Sequence, residues 1–219
     1  MDGKSVIFDM DGVIFDSEKA VFSLWKETAD RLGLKDIESV YLRTVGVNEN
    51  ESRRIFKEEY GEDFPFDSLR DEIFVEYHRR YDGGRLPRKP GAEVVLKKLH
   101  EEGFRMGLAS STRSALVTQQ LREAGVLVCF DAVVGGEMVK RSKPRPDIFL
   151  KAAELLGCEP GQTYIVEDSF NGIRAAREGG FISIMVPDML MPDREMKEKA
   201  TYIASDLYEA YGILTGEKG

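Results

Sequence analysis

The sequence predicts an α/β protein in which a Rossmann-like parallel sheet is flanked by helices and interrupted by an inserted helical domain. Three observations lead to this fold class. Short aliphatic runs alternate with stretches of helical periodicity. The interval after the first run contains helical stripes only. The length of 219 residues suffices for one such domain with a small insert.

Five short apolar segments are predicted to be strands. They cover residues 6–8, 106–109, 132–134, 164–166 and 182–185. Helical stripes lie between them, at Ala92, Val95, Leu96 and Leu99, and again at Ile148, Ala152, Leu155 and Leu156. Strands that alternate with helices in this way predict βαβ units and a parallel sheet.

The interval from about residue 17 to residue 81 breaks this alternation. One helical stripe consists of Val21, Leu24, Trp25, Ala29 and Leu32, and a second of Leu69, Ile73, Phe74, Tyr77 and Tyr81. Gly83 and Gly84 follow, with prolines soon after, which is typical of a hinge. We therefore predict a core domain formed by residues 1–16 and 84–219 and an inserted helical domain formed by residues 17–83.

Charge and composition exclude several classes of protein. A net charge of −8, without a local run of lysine and arginine, argues against nucleic-acid binding. No segment reaches the roughly 18 to 20 apolar residues that cross a bilayer, and no secretory signal pattern is visible. Cys129 and Cys158 lie far apart, which argues against a zinc site or a disulfide framework. We therefore expect a cytoplasmic protein without membrane contact, and a monomer by default.

Two pairs of acidic residues follow predicted strands. Asp9 and Asp11 come directly after the first strand, and Glu167 and Asp168 after the fourth. Ligands of open α/β sheets bind beyond the carboxyl ends of the strands, so these groups are expected to face a ligand. Crowded carboxylates need a compensating cation, and hard oxygen ligands suit Mg²⁺ far better than zinc. The pairs therefore predict a magnesium site, although each pair alone also fits a solvated turn or loop.

Hydroxyl and lysine side chains complete the set of candidate residues. Ser110 and Ser111 end the second predicted strand, where hydroxyls and backbone amides are suited to hold phosphate oxygens. Lys143 lies in a proline-rich segment before the helix that contains Ile148. Asp147 is predicted to be the N-cap of that helix. Taken singly, the serines also fit a helix N-cap, and Lys143 fits an ordinary loop.

Taken together, in this order and spacing, these motifs resemble those of phosphatases of the haloacid dehalogenase superfamily. The resemblance is to the branch that contains β-phosphoglucomutase and phosphoglycolate phosphatase, and it covers nearly the whole chain. It rests on DMDGVIFDS at residues 9–17, on Ser110, on KPRPDIF at residues 143–149 and on EDSFNG at residues 167–172.

The resemblance implies a covalent mechanism at Asp9. Asp9 would attack phosphorus and become a transient aspartyl-phosphate, while Asp11 would protonate the leaving alcohol and then activate water. Lys143 would neutralise charge between the phosphate and Asp9, and Ser110 and Ser111 would hold the phosphoryl group.

The resemblance also implies the cofactor and the substrate. Mg²⁺ would be held by Asp9, by Asp11 through its carbonyl, and by Glu167 and Asp168. The substrate would be a small phosphorylated metabolite, with a phosphorylated sugar favoured, and residues 17–83 would form a cap domain.

Two positions depart from the β-phosphoglucomutase pattern. Val21 stands where that enzyme has a histidine early in the cap, and Glu49 stands where it has an arginine for the second phosphate of its substrate. A glutamate there would repel a bisphosphate intermediate, so hydrolysis is favoured over mutase activity.

Three further alternatives are less compatible with the motifs. A haloacid dehalogenase would not need Asp11 or the second acidic pair. A phosphate-accepting signalling module would lack a helical insert, and a plain metabolite-binding protein would not need a nucleophile with a general acid.

Overall fold

The computed structural model describes residues 4–47 and 49–216, and its core is a parallel β-sheet. In the described residues the strands are β1 (Ser5–Phe8), β2 (Arg105–Ser110), β3 (Ala132–Gly135), β4 (Thr163–Glu167), β5 (Ile182–Met185) and β6 (Tyr202–Ile203). Their order is β3-β2-β1-β4-β5-β6, and every pairing is parallel. The sheet therefore extends from β1 through β2 and β3 on one side. On the other side it extends through β4, β5 and β6.

The reversal of strand order fixes where a ligand can bind. It falls between β1 and β4, which pair in register from Ser5 and Thr163 to Phe8 and Val166. Crevices at such switch points, beyond the carboxyl ends of the strands, are the usual ligand sites of open α/β sheets.

Helices follow the strands of the core. In the described residues they are α5 (Ala92–Glu101), α6 (Ser114–Glu123), α7 (Asp147–Leu156), α8 (Phe170–Glu178), α9 (Arg194–Lys199) and α10 (Leu207–Thr215). Helix α7 packs on β2 and β3, and α8 on β4 and β5. Phe149 and Ala152 of α7 are buried in one cluster with Ile7 of β1 and Ile165 of β4. A buried hydrophobic cluster thus packs against the strands that carry the candidate site.

A second compact unit, residues 16–87, is helical throughout its described elements. It contains α1 (Ser17–Leu32), α2 (Ile37–Leu42), α3 (Glu49–Tyr60) and α4 (Phe66–Tyr81). Its interior is aromatic: the Trp25 ring lies 4.5 Å from that of Phe56 and 5.8 Å from that of Phe66. The core unit comprises residues 1–15 and 88–219. The role of the helical unit as a cap domain stays a prediction.

The predicted fold class is confirmed, and all five predicted strands are present. The sixth strand was missed because Tyr202 and Ile203 form a strand of only two residues at the edge of the sheet. The predicted stripe on α4 is wrong in part, since Phe74 is 63% exposed while Leu69 and Ile73 are buried.

The prediction that Asp147 caps α7 is wrong. The helix begins at Asp147 itself, and Pro146 occupies the N-cap position. The Asp147 carboxylate instead accepts a hydrogen bond from Arg141 Nε at 3.0 Å. A carboxylate in the first turn still interacts favourably with the helix dipole, which explains an acid one position later than expected.

Among the described residues, no helix combines the length and the apolar character needed to span a bilayer.

Candidate active site

Asp9 leaves β1 at the switch point and is held there by the neighbouring strand. Its backbone N donates to Val166 O of β4 at 2.9 Å, which continues the ladder one residue beyond the strand. The side chain is buried, with 7% of the residue exposed. This places a carboxylate directly at the end of the central strand, beside the acidic residues that end β4.

Gly12 allows the loop after β1 to approach the end of β4. Its φ is +76°, a conformation that favours glycine. A Cβ atom built at this position would lie 2.2 Å from Asp168 Oδ2. A side chain here would therefore collide with the carboxylate of Asp168, so glycine is required on two grounds.

Lys143 joins the two acidic segments. Its Nζ donates to Asp9 Oδ1 at 2.6 Å and to Glu167 Oε1 at 2.5 Å, and all three side chains are at most 10% exposed. The ammonium also lies 4.9 Å from the centroid of the Phe149 ring. Backbone N of Ser169 donates to the other oxygen, Oε2, of Glu167 at 2.6 Å. Glu167 is therefore held by partners on both oxygens.

Asp9, Glu167 and Asp168 form an acidic cluster that fits a metal ion. One carboxylate oxygen from each lies within 4.8 Å of the others. Two buried carboxylates and the partly buried carboxylate of Asp168 against one ammonium leave excess negative charge, and a hard divalent cation such as Mg²⁺ compensates such charge best. Since both Glu167 oxygens already accept hydrogen bonds, Asp9 and Asp168 are the side chains better placed to act as direct ligands.

Burial and charge shift the pKa values of these groups. Burial, assisted by Glu167 and Asp11, raises the pKa of Asp9 to about 8, although Lys143 opposes the shift. Burial and the charges of Glu167 and Asp9 raise the pKa of Asp168 well above its ordinary value. Burial alone would lower the pKa of Lys143, but Asp9 and Glu167 outweigh it and raise that pKa. Lys143 therefore stays charged, and a bound cation would oppose the rise in the pKa values of Asp9 and Asp168.

The Asp11 carboxylate contacts two hydroxyl groups at and just beyond the end of β2. Its Oδ2 accepts from Ser110 Oγ and from Thr112 Oγ1, both at 3.4 Å. Ser110 is fully buried, and its Oγ accepts from Thr112 N at 3.0 Å. Ser111 is exposed. The structure thus brings six of the seven predicted residues together around β1, β2 and β4, with Ser111 at the exposed margin.

Three residues of this arrangement were not predicted. Thr112 lies two residues beyond Ser110, in a motif from which only the serines were selected. Ser169 contributes its backbone N, which no sequence pattern distinguishes. Gly172 approaches Glu167 so closely that a Cβ there would lie 1.8 Å from Oε1. The one sequence feature that indicates this close contact is a glycine at the third residue of a predicted helix, where glycine is otherwise unfavourable.

The chain belongs to the haloacid dehalogenase-like hydrolase family, whose model matches residues 6–186. A phosphatase of phosphorylated carbohydrates from Thermotoga maritima is 30% identical over 177 residues, which cover 81% of this chain and 82% of that protein. The β-phosphoglucomutase of Bacillus subtilis is 31% identical and covers 84% and 83%. The predicted family is therefore confirmed.

Solved structures support the same conclusion. A Thermotoga maritima protein provisionally named β-phosphoglucomutase superposes with a TM-score of 0.78 at 28% identity, covering 98% of this chain and all of the other. The chain is an enzyme of the hydrolase family, and the predicted class, phosphatase, agrees with the names of its relatives.

Proposed function

We propose that this enzyme is a Mg²⁺-dependent phosphatase that hydrolyses phosphate monoesters of small metabolites, with phosphorylated sugars as the main class. The observation that carries the proposal is the position of Lys143, whose ammonium bridges Asp9 and Glu167 in a buried acidic cluster. A phosphoryl group can bind beside an ammonium and a carboxylate that are arranged in this way. The ammonium offsets the negative charges of both the carboxylate and the phosphate.

The reaction divides into two steps at Asp9. An Asp9 oxygen attacks phosphorus, the bond from phosphorus to the ester oxygen breaks, and Asp11 gives its proton to the leaving alcohol. Asp11, now ionised, takes a proton from water as the water oxygen attacks phosphorus. The bond between phosphorus and Asp9 then breaks, inorganic phosphate leaves, and both aspartates return to their starting states.

The remaining residues stabilise the charge of the phosphoryl group. Lys143 neutralises the oxygens nearest Asp9, while Ser110 and backbone amides around Ser111 donate to the others. Mg²⁺, held by Asp9, Asp168 and the carbonyl of Asp11, supplies further positive charge when bound. Glu167 orients Lys143, since its two oxygens hold that ammonium and the backbone N of Ser169.

The substrate class rests on the relatives and on the insert. The Thermotoga relative is named for phosphorylated carbohydrates, and its identity extends over four fifths of the chain. Residues 17–83 would act as the cap that selects the leaving group. Direct phosphate release from a panel of phosphorylated sugars, phosphoglycolate and nucleotides, with Mg²⁺ present, tests the proposal. An absence of phosphate release from every member at millimolar concentration would contradict it.

A mutase activity is the second candidate, because the Bacillus relative is a β-phosphoglucomutase. Glu49 was expected to repel a second phosphate, but its carboxylate contacts both Arg53, at 2.9 Å, and Arg70. These arginines offset its charge, so the argument against a mutase now rests mainly on Val21.

Product analysis separates the two activities. β-Glucose 1-phosphate is supplied with glucose 1,6-bisphosphate, and the products are followed by phosphorus NMR. We expect phosphate and glucose as products. Formation of glucose 6-phosphate faster than phosphate release would reverse the order of the two candidates without affecting Asp9, Asp11 or the acidic cluster.

A further inference from the structure

A second buried ion pair lies beside the acidic cluster. Lys89 Nζ donates to Asp188 Oδ1 at 2.5 Å, and the two side chains are 12% and 0% exposed. Neither residue belongs to the motifs that identify the family site. A buried ion pair is by itself weak evidence for stability, because desolvation offsets much of the attraction, so its position needs another reason.

The pair connects the loops on either side of the end of β4. Backbone N of Lys89 donates to Ile14 O, in the loop after β1, at 2.9 Å. Asp188 follows β5, and Val186 N at the end of that strand donates to Glu167 O at 2.8 Å. Because β4 lies between β1 and β5, Lys89 and Asp188 meet across the strand end that carries Glu167 and Asp168.

Asp188 is close enough to the acidic cluster to change its electrostatics. Its charge contributes to the raised pKa of Asp168, after burial, Glu167 and Asp9. Paired with Lys89, it adds little net charge. Removing the Lys89 charge would leave the negative charge of Asp188 without this counter-charge beside the site. Removing the Asp188 charge would do the same for the positive charge of Lys89.

We propose that Lys89 and Asp188 are positioning residues that balance charge beside the acidic cluster and thereby set its affinity for Mg²⁺. This rests on the proposed function, since it takes Asp9 and Asp168 as metal ligands. The two residues tie the loop after β1, which carries Asp9, to the segment after β5, and their opposite charges act on the bound cation in opposite directions.

The test measures Mg²⁺ binding to metal-free protein by titration calorimetry, without turnover. A unit charge about 10 Å from a divalent ion, at an effective dielectric constant of about 50 for a site open to water, changes the affinity for that ion roughly tenfold. We therefore expect Lys89→Met to tighten Mg²⁺ binding about tenfold and Asp188→Asn to weaken it about tenfold. The double variant, Lys89→Met with Asp188→Asn, should return to within about threefold of the wild type.

Two comparisons keep the test decisive. Lys89→Arg retains the charge and should bind Mg²⁺ like the wild type. If Lys89→Met alone does not fold, the double variant is compared with Asp188→Asn instead. The double variant must then bind Mg²⁺ about tenfold more tightly than Asp188→Asn does.

If the ion pair between Lys89 and Asp188 only holds the two loops together, the result is different. Both single variants would then bind Mg²⁺ more weakly than the wild type, or both would bind it equally well. Either outcome overturns the inference. Failure of the proposed function is recognised separately: the wild-type protein would then bind no Mg²⁺, or Asp168→Asn would bind it as tightly as the wild type.

Discussion

Gly172→Ala tests whether Glu167 is held in the position that the active site requires. Gly172 is the third residue of α8, and its backbone N donates to the N-cap Ser169 Oγ at 3.0 Å. An added Cβ would lie 1.8 Å from Glu167 Oε1 and 1.9 Å from Cδ, distances that real Cβ atoms essentially never show. The carboxylate, which holds Lys143, must therefore move.

Two effects of opposite sign decide the stability of this variant. Replacing glycine by alanine inside a helix stabilises by about 1 kcal/mol. Overpacking a tight site costs about 1 to 3 kcal/mol, and breaking a buried ion pair costs about 3 to 5 kcal/mol. If Glu167 moves away from Lys143, the overpacking is relieved, and the loss of the ion pair less the gain from alanine leaves a net loss of about 2 to 4 kcal/mol. For a chain of this length, that lowers the Tm by about 4 to 16 °C.

The assay combines thermal unfolding, followed by circular dichroism, with kcat/KM on the best substrate of the panel. We expect kcat/KM to fall about 10- to 100-fold, as is usual when a residue supporting a metal site is lost. Gly161→Ala is the matched control, since nothing lies within 4 Å of its added Cβ. A Gly172→Ala protein with a higher Tm and unchanged activity would refute the reasoning.

The other predictions concern the two aspartates and the pH dependence of stability. Asp9→Asn should abolish turnover while retaining the wild-type circular dichroism spectrum, because an amide cannot serve as the anionic nucleophile; full activity would exclude the covalent mechanism. Asp11→Asn should lower kcat about 10²-fold, less for substrates with excellent leaving groups, and an equal loss with all of them would contradict its role as general acid. In chelator, the Tm should fall as pH rises from about 5 to 8. The folded protein retains protons on Asp9, whose pKa is raised from 3.8 to about 8, and on Asp168, whereas the unfolded chain releases them. Mg²⁺ should flatten this slope, and a Tm that does not change with pH in chelator would show that these carboxyls are already ionised.

The sequence predicted most of the core because its signals are local. Residues 6–8 and 164–166 are continuous apolar runs, as central parallel strands require, and both become fully or largely buried. The edge strand Tyr202–Ile203 has two exposed residues and no such run, so no pattern identified it. Phe74 fitted a helical stripe but lies on the exposed face of α4, because periodicity shows which residues share a face and not whether that face is covered.

The candidate site could be predicted only as far as its motifs extend. Asp9, Asp11, Glu167 and Asp168 stand at strand ends, where the rule for open α/β sheets places ligands. The partners of these residues depend on tertiary structure. Lys89 and Asp188 lie 99 positions apart and carry no motif, so only the fold reveals that they form a pair. The N-cap of α7 was assigned one residue late for a local reason, since Pro146 precedes an acid that suits the first turn equally well.

The central position of β1 affects the synthesis of this protein. β1 precedes both of its neighbours in the chain, so Val6 and Ile7 can pair with β2 only after residues 105–110 have emerged and with β4 only after residues 163–167 have emerged. At 5 to 20 residues per second, this delay lasts about 8 to 30 s. During that time the helical unit, residues 16–87, is continuous in sequence and already complete. The nascent chain therefore presents at least one unpaired edge of an apolar strand to chaperones until β4 has emerged, and only then can Asp9 meet Glu167 and Asp168.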